Sequence, residues 1–538
     1  MSGRSPRVPR PASNLHRLDR RRLLMQGSLL GGAALLAPAR LLGFAQEATP
    51  APDANAQPGG TLVLGFEANP DDLNPFTMTS LVSALVCEQV YDTLFIFDQS
   101  LTAQNNLCVR HEAPNDKTFI FHLAENAVFS DGTPLTSEDV KFTLESFKDP
   151  NIGGRAWAQR IDSVDAVDEH TVQVNLIEPF APLISYLAFQ YNPIISKAFY
   201  ESTGGDLSQQ TMGSGPFILE EFVPDQVIRF RKNPNYWQEG LPYLDGMEWL
   251  ILPDDQARVA ALRGGEISNA DFIDHQAVES FENNPEWVVY QYSTLTHGTT
   301  VINCSTGPLA DARVRQALSY AVDRNEILDF SALGYGQVTG YIPSPDTTWS
   351  IPVDELPTYQ TNVDKAKELL AEAGYADGFD VTLRVSSLYV LDTANAQVVQ
   401  QQLQAIGVNV KIEQLEWGNL LDAWVNSDFE LLNILLLGQP DPDGYTWGRY
   451  HSSSPTNYCK ISDPDLDAML DQARAEVDVP TRQGLYRDIQ LKLDELVPSL
   501  YYYVYDVWQV WAANPPVHGV TPMPNASGPY IKRIWVEQ

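Results

Sequence analysis

The run Gly438-Gln-Pro-Asp-Pro-Asp-Gly-Tyr-Thr-Trp447 brings two acids and two aromatics together in one Gly- and Pro-rich stretch. Asp441 and Asp443 can accept hydrogen bonds from the OH or NH groups of a solute. Tyr445 and Trp447 offer flat apolar faces for stacking. Trp417 and Tyr389 follow two other apolar runs, and Glu67 and Asn69 follow a third. These eight residues are the candidate ligand-binding set. The chemistry they suit is capture without bond making.

Constellations for bond making do not stand out. The chain has no GxxxxGK[ST], HExxH, CxxC or GxSxG, and Gly334, Gly336 and Gly340 miss dinucleotide spacing. Its eight histidines are scattered, with no two at metal-ligand spacing. No cofactor and no metal are expected. Acid pairs such as Asp254-Asp255 fall in a turn before a helix. A cleft hydrolase, which needs two carboxylates flanking its substrate, is the remote enzymatic alternative.

The elements that must position the eight residues are legible. Alternation or apolar runs predict strands at Thr61–Phe66, Thr118–Leu123, Thr171–Leu176, Val227–Arg231, Glu248–Leu252, Thr299–Asn303, Asp380–Val385, Asn409–Leu415 and Glu430–Leu437. Helical spacing covers Val140–Phe147, Asp311–Val322, Val363–Ala373, Thr393–Ile406, Pro464–Val477 and Thr481–Leu496. Residues 380–437 read as strand, helix, strand, short helix, strand, a unit that forces parallel pairing. Ligands of open parallel sheets bind beyond the carboxyl ends of the strands. Three loops occupy that edge: Ser386, Ser387 and Tyr389 in the first, Trp417 in the second, and 438–447 in the third.

The first sixty residues do not read as fold. Residues 1–22 hold seven arginines, and an apolar stretch interrupted by glycines and Pro38 follows from Leu23 to Leu42. This is a secretory pattern. Asp19-Arg20-Arg21-Arg22-Leu23-Leu24 resembles a twin-arginine export motif, with cleavage expected after Ala45. A retained membrane anchor is the alternative. The first cysteine is Cys87, so no lipid attachment is expected. Export places Cys87, Cys108, Cys304 and Cys459 in an oxidising compartment. Cys87 with Cys108 and Cys304 with Cys459 are the candidate pairs, against four free thiols.

The net charge of −34 repels phosphate backbones, so nucleic acid is not an expected partner. The same charge keeps a protein soluble and monomeric.

Several blocks stand in one order along 58–538. They are Gly59-Gly-Thr-Leu-Val-Leu-Gly65 with Leu73-Asn-Pro75, Phe119 to Val140 (FIFHLAENAVFSDGTPLTSEDV), Gly213-Ser-Gly-Pro-Phe217, Arg231-Lys-Asn-Pro-Asn-Tyr-Trp237, Ala260-Ala-Leu-Arg-Gly-Gly-Glu266 and Asp311 to Leu318 (DARVRQAL). In these blocks the chain resembles the oligopeptide/dipeptide-type solute-binding proteins of ABC importers, family 5. The resemblance implies an α/β, two-lobed periplasmic-binding-protein fold (type II, cluster C) with an extra α/β domain inserted in the first lobe. With the export signal read at 1–45 and a flexible Ala/Pro-rich linker at 46–58, it implies lobe I at 59–90, 206–295 and 505–538, the inserted domain at 91–205 and lobe II at 296–504. It implies hinge closure over a small solute or short peptide, delivery to the permease subunits of an importer, and a periplasmic or cell-surface location.

One position departs from the family. Peptide-binding relatives place an aspartate three residues ahead of an Asp/Glu-Pro pair, against the peptide's ammonium group. The pair here is Asp441-Pro442, and the third residue before it is Gly438. A buried ammonium without a counter-charge costs several kcal/mol. A non-peptide ligand such as an oligosaccharide is therefore the alternative cargo.

Overall fold

In a computed structural model, residues 53–537 are described apart from 153–154, 209, 272, 274, 283, 344–347 and 529. The export segment lies outside the described residues. Within the expected linker, the Asp53 N–H donates to the Tyr243 hydroxyl at 2.7 Å and Ala56 packs beside Tyr236 and Trp535. The chain is thus docked from residue 53, before the expected end of the linker at 58.

The strands used below are β1 Thr61–Phe66, β2 Cys108–Asn115, β3 Thr118–Leu123, β4 Ile161–Asp168, β5 Thr171–Leu176, β6 Phe217–Val223, β7 Val227–Lys232, β8 Gly246–Ile251, β9 Asn269–Asp271, β10 Trp287–Ile302, β11 Gln337–Val338, β12 Phe379–Ser386, β13 Val408–Leu415, β14 Leu431–Leu436 and β15 Ser499–Ala512. Ten of them form one path in the order β13-β12-β14-β10-β15-β9-β1-β8-β7-β6, with β11 pairing β15 at the side. Strands β2-β3-β5-β4 form a separate antiparallel sheet. The helices used are α1 Ser137–Lys148, α2 Leu183–Leu187, α3 Ala312–Ala321, α4 Val363–Glu372, α5 Val390–Gln404, α6 Trp417–Val425, α7 Pro464–Ala475 and α8 Val479–Leu496.

Period-two alternation explains the layers. In β14, Leu431 faces one core with α3, α4 and α5, while Leu432, Ile434 and Leu436 face a second core with α7 and α8. In the other half, Leu62 and Leu64 of β1 and Met247, Trp249 and Ile251 of β8 share a core, while Val63 and Leu250 face the opposite side. The separate sheet closes a third body, with Phe119, Phe121, Val172 and Val174 packed against Val140, Leu144 and Phe147 of α1. Each such buried side chain contributes roughly 1.5–3 kcal/mol. The chain is a two-lobed α/β protein. Strands β12, β13 and β14 pair in parallel, as the strand-helix alternation requires. Helix α4 ends where Gly374 takes a left-handed φ of +92°, open to glycine at little cost.

Two strands run through both halves. β10 has 16 residues and β15 has 14, so each spans about 50 Å at roughly 3.3 Å per residue. They pair regularly from Trp287↔Ala512 to Ser293↔Asp506; the next pair is His297↔Val504. Four steps along β10 thus match two along β15. The extra backbone is held locally: the Leu295 N–H donates to the Pro524 carbonyl at 2.8 Å, and the Ser293 hydroxyl to Asp506 at 2.6 Å.

Candidate ligand cleft

The loop after β14 is built around two internal ion pairs. Arg482 of α8 donates to both oxygens of Asp441 at 2.8 and 2.9 Å, and Arg474 of α7 donates to both oxygens of Asp443 at 2.7 and 2.8 Å. All four residues are buried. Bidentate pairing uses the carboxylate lone pairs that a solute would need. Asp441 and Asp443, expected as ligand acceptors, instead pin the loop to α7 and α8.

The aromatics of this loop are also engaged. Trp447 donates from Nε1 to Asp471 at 2.8 Å and is flanked by the Arg474 guanidinium, 3.5 Å from a ring centroid, and by the His451 ring at 4.6 Å. Only 8% of Trp447 is exposed and 2% of Tyr445. Tyr445 packs against His297 and lies under the Arg449 guanidinium. Both belong to a core, not to a stacking face for a solute. Asn69 is likewise spent: its amide donates to Asp225 at 2.6 Å and its carbonyl accepts from the Asp225 N–H at 2.8 Å.

Two of the eight residues meet at one rim. Tyr389, 40% exposed, sits edge-on to Trp417 with ring centroids 5.2 Å apart. Glu67, in the loop after β1, stands near enough for its charge to act on Tyr389. Burial raises the Tyr389 phenol pKa, with the charges of Glu67 and Asp392 adding to it. Loss of hydration also raises the Glu67 carboxyl, against the pull of Arg258.

Two features escape inspection of the sequence. Asp392, in the first turn of α5, is fully buried, and neither carboxylate oxygen has a hydrogen-bond partner. Also, a small recess open to solvent lies on the lobe I side, among Phe66, Trp249, Asn269, Tyr292, Gln509 and Trp511.

The Gly438 departure has a steric cause. A Cβ there would collide with the Tyr445 hydroxyl and with the side chain and carbonyl of Leu295. The backbone between Ser293 and His297 fills the place an aspartate would need.

The cysteines stand as thiols. Cys87 and Cys108 lie in separate cores and do not pair. Cys304 and Cys459 are neighbours: the Cys304 N–H donates to the Cys459 carbonyl at 2.8 Å, the Cys459 thiol donates to Asn457 Oδ1 at 3.2 Å, and the nearby Cys459 thiol lowers the Cys304 pKa.

Two α/β lobes strung on a pair of long strands are the architecture of a solute-binding protein. Residues 102–457 match the model of the bacterial extracellular solute-binding proteins, family 5 Middle. The chain belongs to that family and is the substrate-binding component of an ABC importer. It is 28% identical over 361 residues to the glutathione-binding protein GsiB of Escherichia coli O1:K1 / APEC, covering 66% of this chain and 70% of that protein. AgaA of A. tumefaciens R10, solved with agropinic acid, superposes with a TM-score of 0.79 at 27% identity, covering 89% of this chain and 99% of AgaA. The oligopeptide-binding protein AppA of Bacillus subtilis, solved with a nonapeptide, gives 0.77 at 25%, covering 90% and 100%. These relatives are substrate-binding proteins. Among the described residues, no helix is long and apolar enough to cross a membrane.

Proposed function

We propose that this protein captures a short peptide or peptide-like solute at the Glu67–Tyr389–Trp417 rim by hinge closure and releases it unaltered to the permease. The observation that carries this reading is the paired break in β10 and β15, where backbone joining two separate cores loses its register. Rotation there needs changes in few dihedrals, as hinge closure does. On this reading lobe I comprises 59–90, 206–295 and 505–538, the inserted domain 91–205 and lobe II 296–504. Trp417 and Tyr389 supply contact area, Glu67 supplies charge, and the recess beside Tyr292 and Gln509 takes a ligand side chain. The two loop aspartates act indirectly by fixing the wall. Twin-arginine export, cleavage after Ala45, absence of a lipid anchor and action as a monomer without nucleic acid complete the proposal.

A non-peptide cargo has one observation in its favour: position 438 has neither charge nor space. Native mass spectrometry of the protein purified from its own host separates the two. A retained mass matching a peptide is the expected result. A retained sugar would replace the peptide reading, and a chemically altered cargo would remove the capture reading altogether.

A further inference from the structure

If position 438 cannot carry a charge, a peptide's ammonium group must be met elsewhere. Asp392 is the acid whose surroundings are incomplete. An acid in the first turn of a helix is ordinarily explained by the helix dipole or by capping. Asp392 caps nothing: α5 has no side-chain cap bond, and both carboxylate oxygens are unpartnered at 0% exposure. Buried carboxylates are normally paired or hydrogen-bonded, because an isolated buried charge is costly.

The position of this turn is well defined. The Asp392 carbonyl accepts from the Asn433 amide of β14 at 2.9 Å. One turn on, the Asn395 side-chain Oδ1 accepts from the Tyr503 hydroxyl of β15 at 3.0 Å, and its Nδ2 lies 3.1 Å from where a Cβ on Gly298 of β10 would stand. The start of α5 therefore rests on both hinge strands, past the carboxyl end of β12, where parallel sheets bind ligands. From there the Asp392 charge acts on the Tyr389 and Tyr505 hydroxyls, the same two that Glu67 reaches from lobe I. The charges of both acids thus act on the same pair of phenols.

We propose that Asp392, together with Glu67, seats the ligand's ammonium group and supplies the negative charge that position 438 lacks. Among the described residues, no group of three or more His, Cys, Asp or Glu could hold a metal ion. Two carboxylates flanked by phenols suit a monovalent organic cation, whereas a hard divalent ion wants about six oxygens. Closure brings the two acids together, so the cation joins both lobes.

This inference rests on the peptide reading, and three probes keep the two apart: the tripeptide Ala-Phe-Ala, its N-acetyl form, and N-acetyl-Lys-Phe-Ala. Calorimetry on the full-length protein is expected to show the free-amine peptide binding at least tenfold tighter than its acetylated form. Asp392→Asn should abolish that preference while leaving the thermal midpoint of the ligand-free protein unchanged or higher. Recovery of affinity with the acetylated lysine probe, lost again in Asp392→Asn, would assign the seat to a side-chain cation. If wild type binds the free and acetylated peptides equally, or Asp392→Asn keeps the preference, the seat is overturned while peptide capture stands. If no probe binds wild type, both fall. Should Asp392→Asn fail to fold, Glu67→Gln decides: a preference reduced about threefold or more supports the seat, and an unchanged one overturns it.

Discussion

The Tyr186 hydroxyl donates to Asp443 Oδ2 at 3.1 Å, linking α2 of the separate-sheet body to the loop after β14 across 257 residues of sequence. A second bond runs beside it, from the Ala181 N–H to the Arg474 carbonyl at 3.0 Å, with the Arg474 guanidinium over the Phe180 ring. Arg160 from the same body stands 5.2 Å from a Trp447 ring centroid. The loop expected to touch the ligand is thus the part that meets the separate-sheet body. Asp443 serves both contacts: Arg474 holds it within its lobe, and Tyr186 meets it from across.

Tyr186→Phe deletes the hydroxyl and keeps the ring. A hydrogen bond to a charged acceptor is worth about 1.5–3 kcal/mol net. Asp443 keeps its bidentate arginine, so the fold should stand. The expected result is solute binding weaker by roughly tenfold to a hundredfold in calorimetry, with a larger radius of gyration for the ligand-free protein in small-angle scattering. An unchanged radius together with unchanged affinity would show that the bond takes no part in closure.

Asp441→Ala leaves Arg482 buried and unpaired, at an expected cost of about 3–5 kcal/mol in urea unfolding. Replacing the pair together, as Asp441→Leu with Arg482→Met, should cost far less, because neither charge is then stranded. Equal costs for the single and double variants would mean that the loop needs the ions themselves. A loss below 1 kcal/mol for the single variant would mean that Arg482 finds water.

Legibility in the sequence followed the range of the interactions. β1, β3 and β5 have the bounds that alternation predicts, because their pattern is local. Of β10 only the last residues stand out, and β15 does not, since Ser-Leu-Tyr-Tyr-Tyr-Val is apolar on both faces and shows no period. At the site, composition marked the 438–447 loop as unusual but could not show why. The partners of its two acids lie 31 and 41 residues further on, in helices whose arginines look like surface charges. Asp392 was hidden for the converse reason. An acid opening a helix is commonplace, and what distinguishes this one is the partner it lacks.

Cys304 and Cys459 are expected to oxidise in the compartment that the export signal implies. Their backbones are hydrogen-bonded at 2.8 Å, and the lowered Cys304 pKa favours the reactive thiolate. Burial pushes the Cys87 thiol well up and the Cys108 thiol up to about 12, which keeps both inert. An unreduced peptide map should show a 304–459 crosslink with Cys87 and Cys108 alkylated only after unfolding. A map with all four cysteines free after export would reject the crosslink.

The Asp392 seat also predicts how stability depends on pH in the ligand-free protein. Burial pushes the Asp392 carboxyl from 3.8 up to about 7. A raised carboxyl pKa means the folded state holds a proton that the unfolded state has released between these values. Stability is then undiminished below about pH 4, falls as pH rises, and levels off past about pH 7. At roughly 1.36 kcal/mol per unit, the loss is at most about 4 kcal/mol. The groups in reach of this charge are the phenols of Tyr389, Tyr502, Tyr503 and Tyr505, with no cation among them to offset it. Asp392→Asn removes the titration. Its urea-unfolding free energy should match wild type near pH 4 and exceed it by 1–4 kcal/mol at pH 7.5 (an order-of-magnitude range). Addition of Ala-Phe-Ala should narrow that gap by stabilising wild type more than the variant, because the ammonium group then meets the carboxylate. Parallel curves for the two proteins from pH 4 to 7.5 would mean that Asp392 is already satisfied in the folded chain, and a cation would have no vacancy to fill.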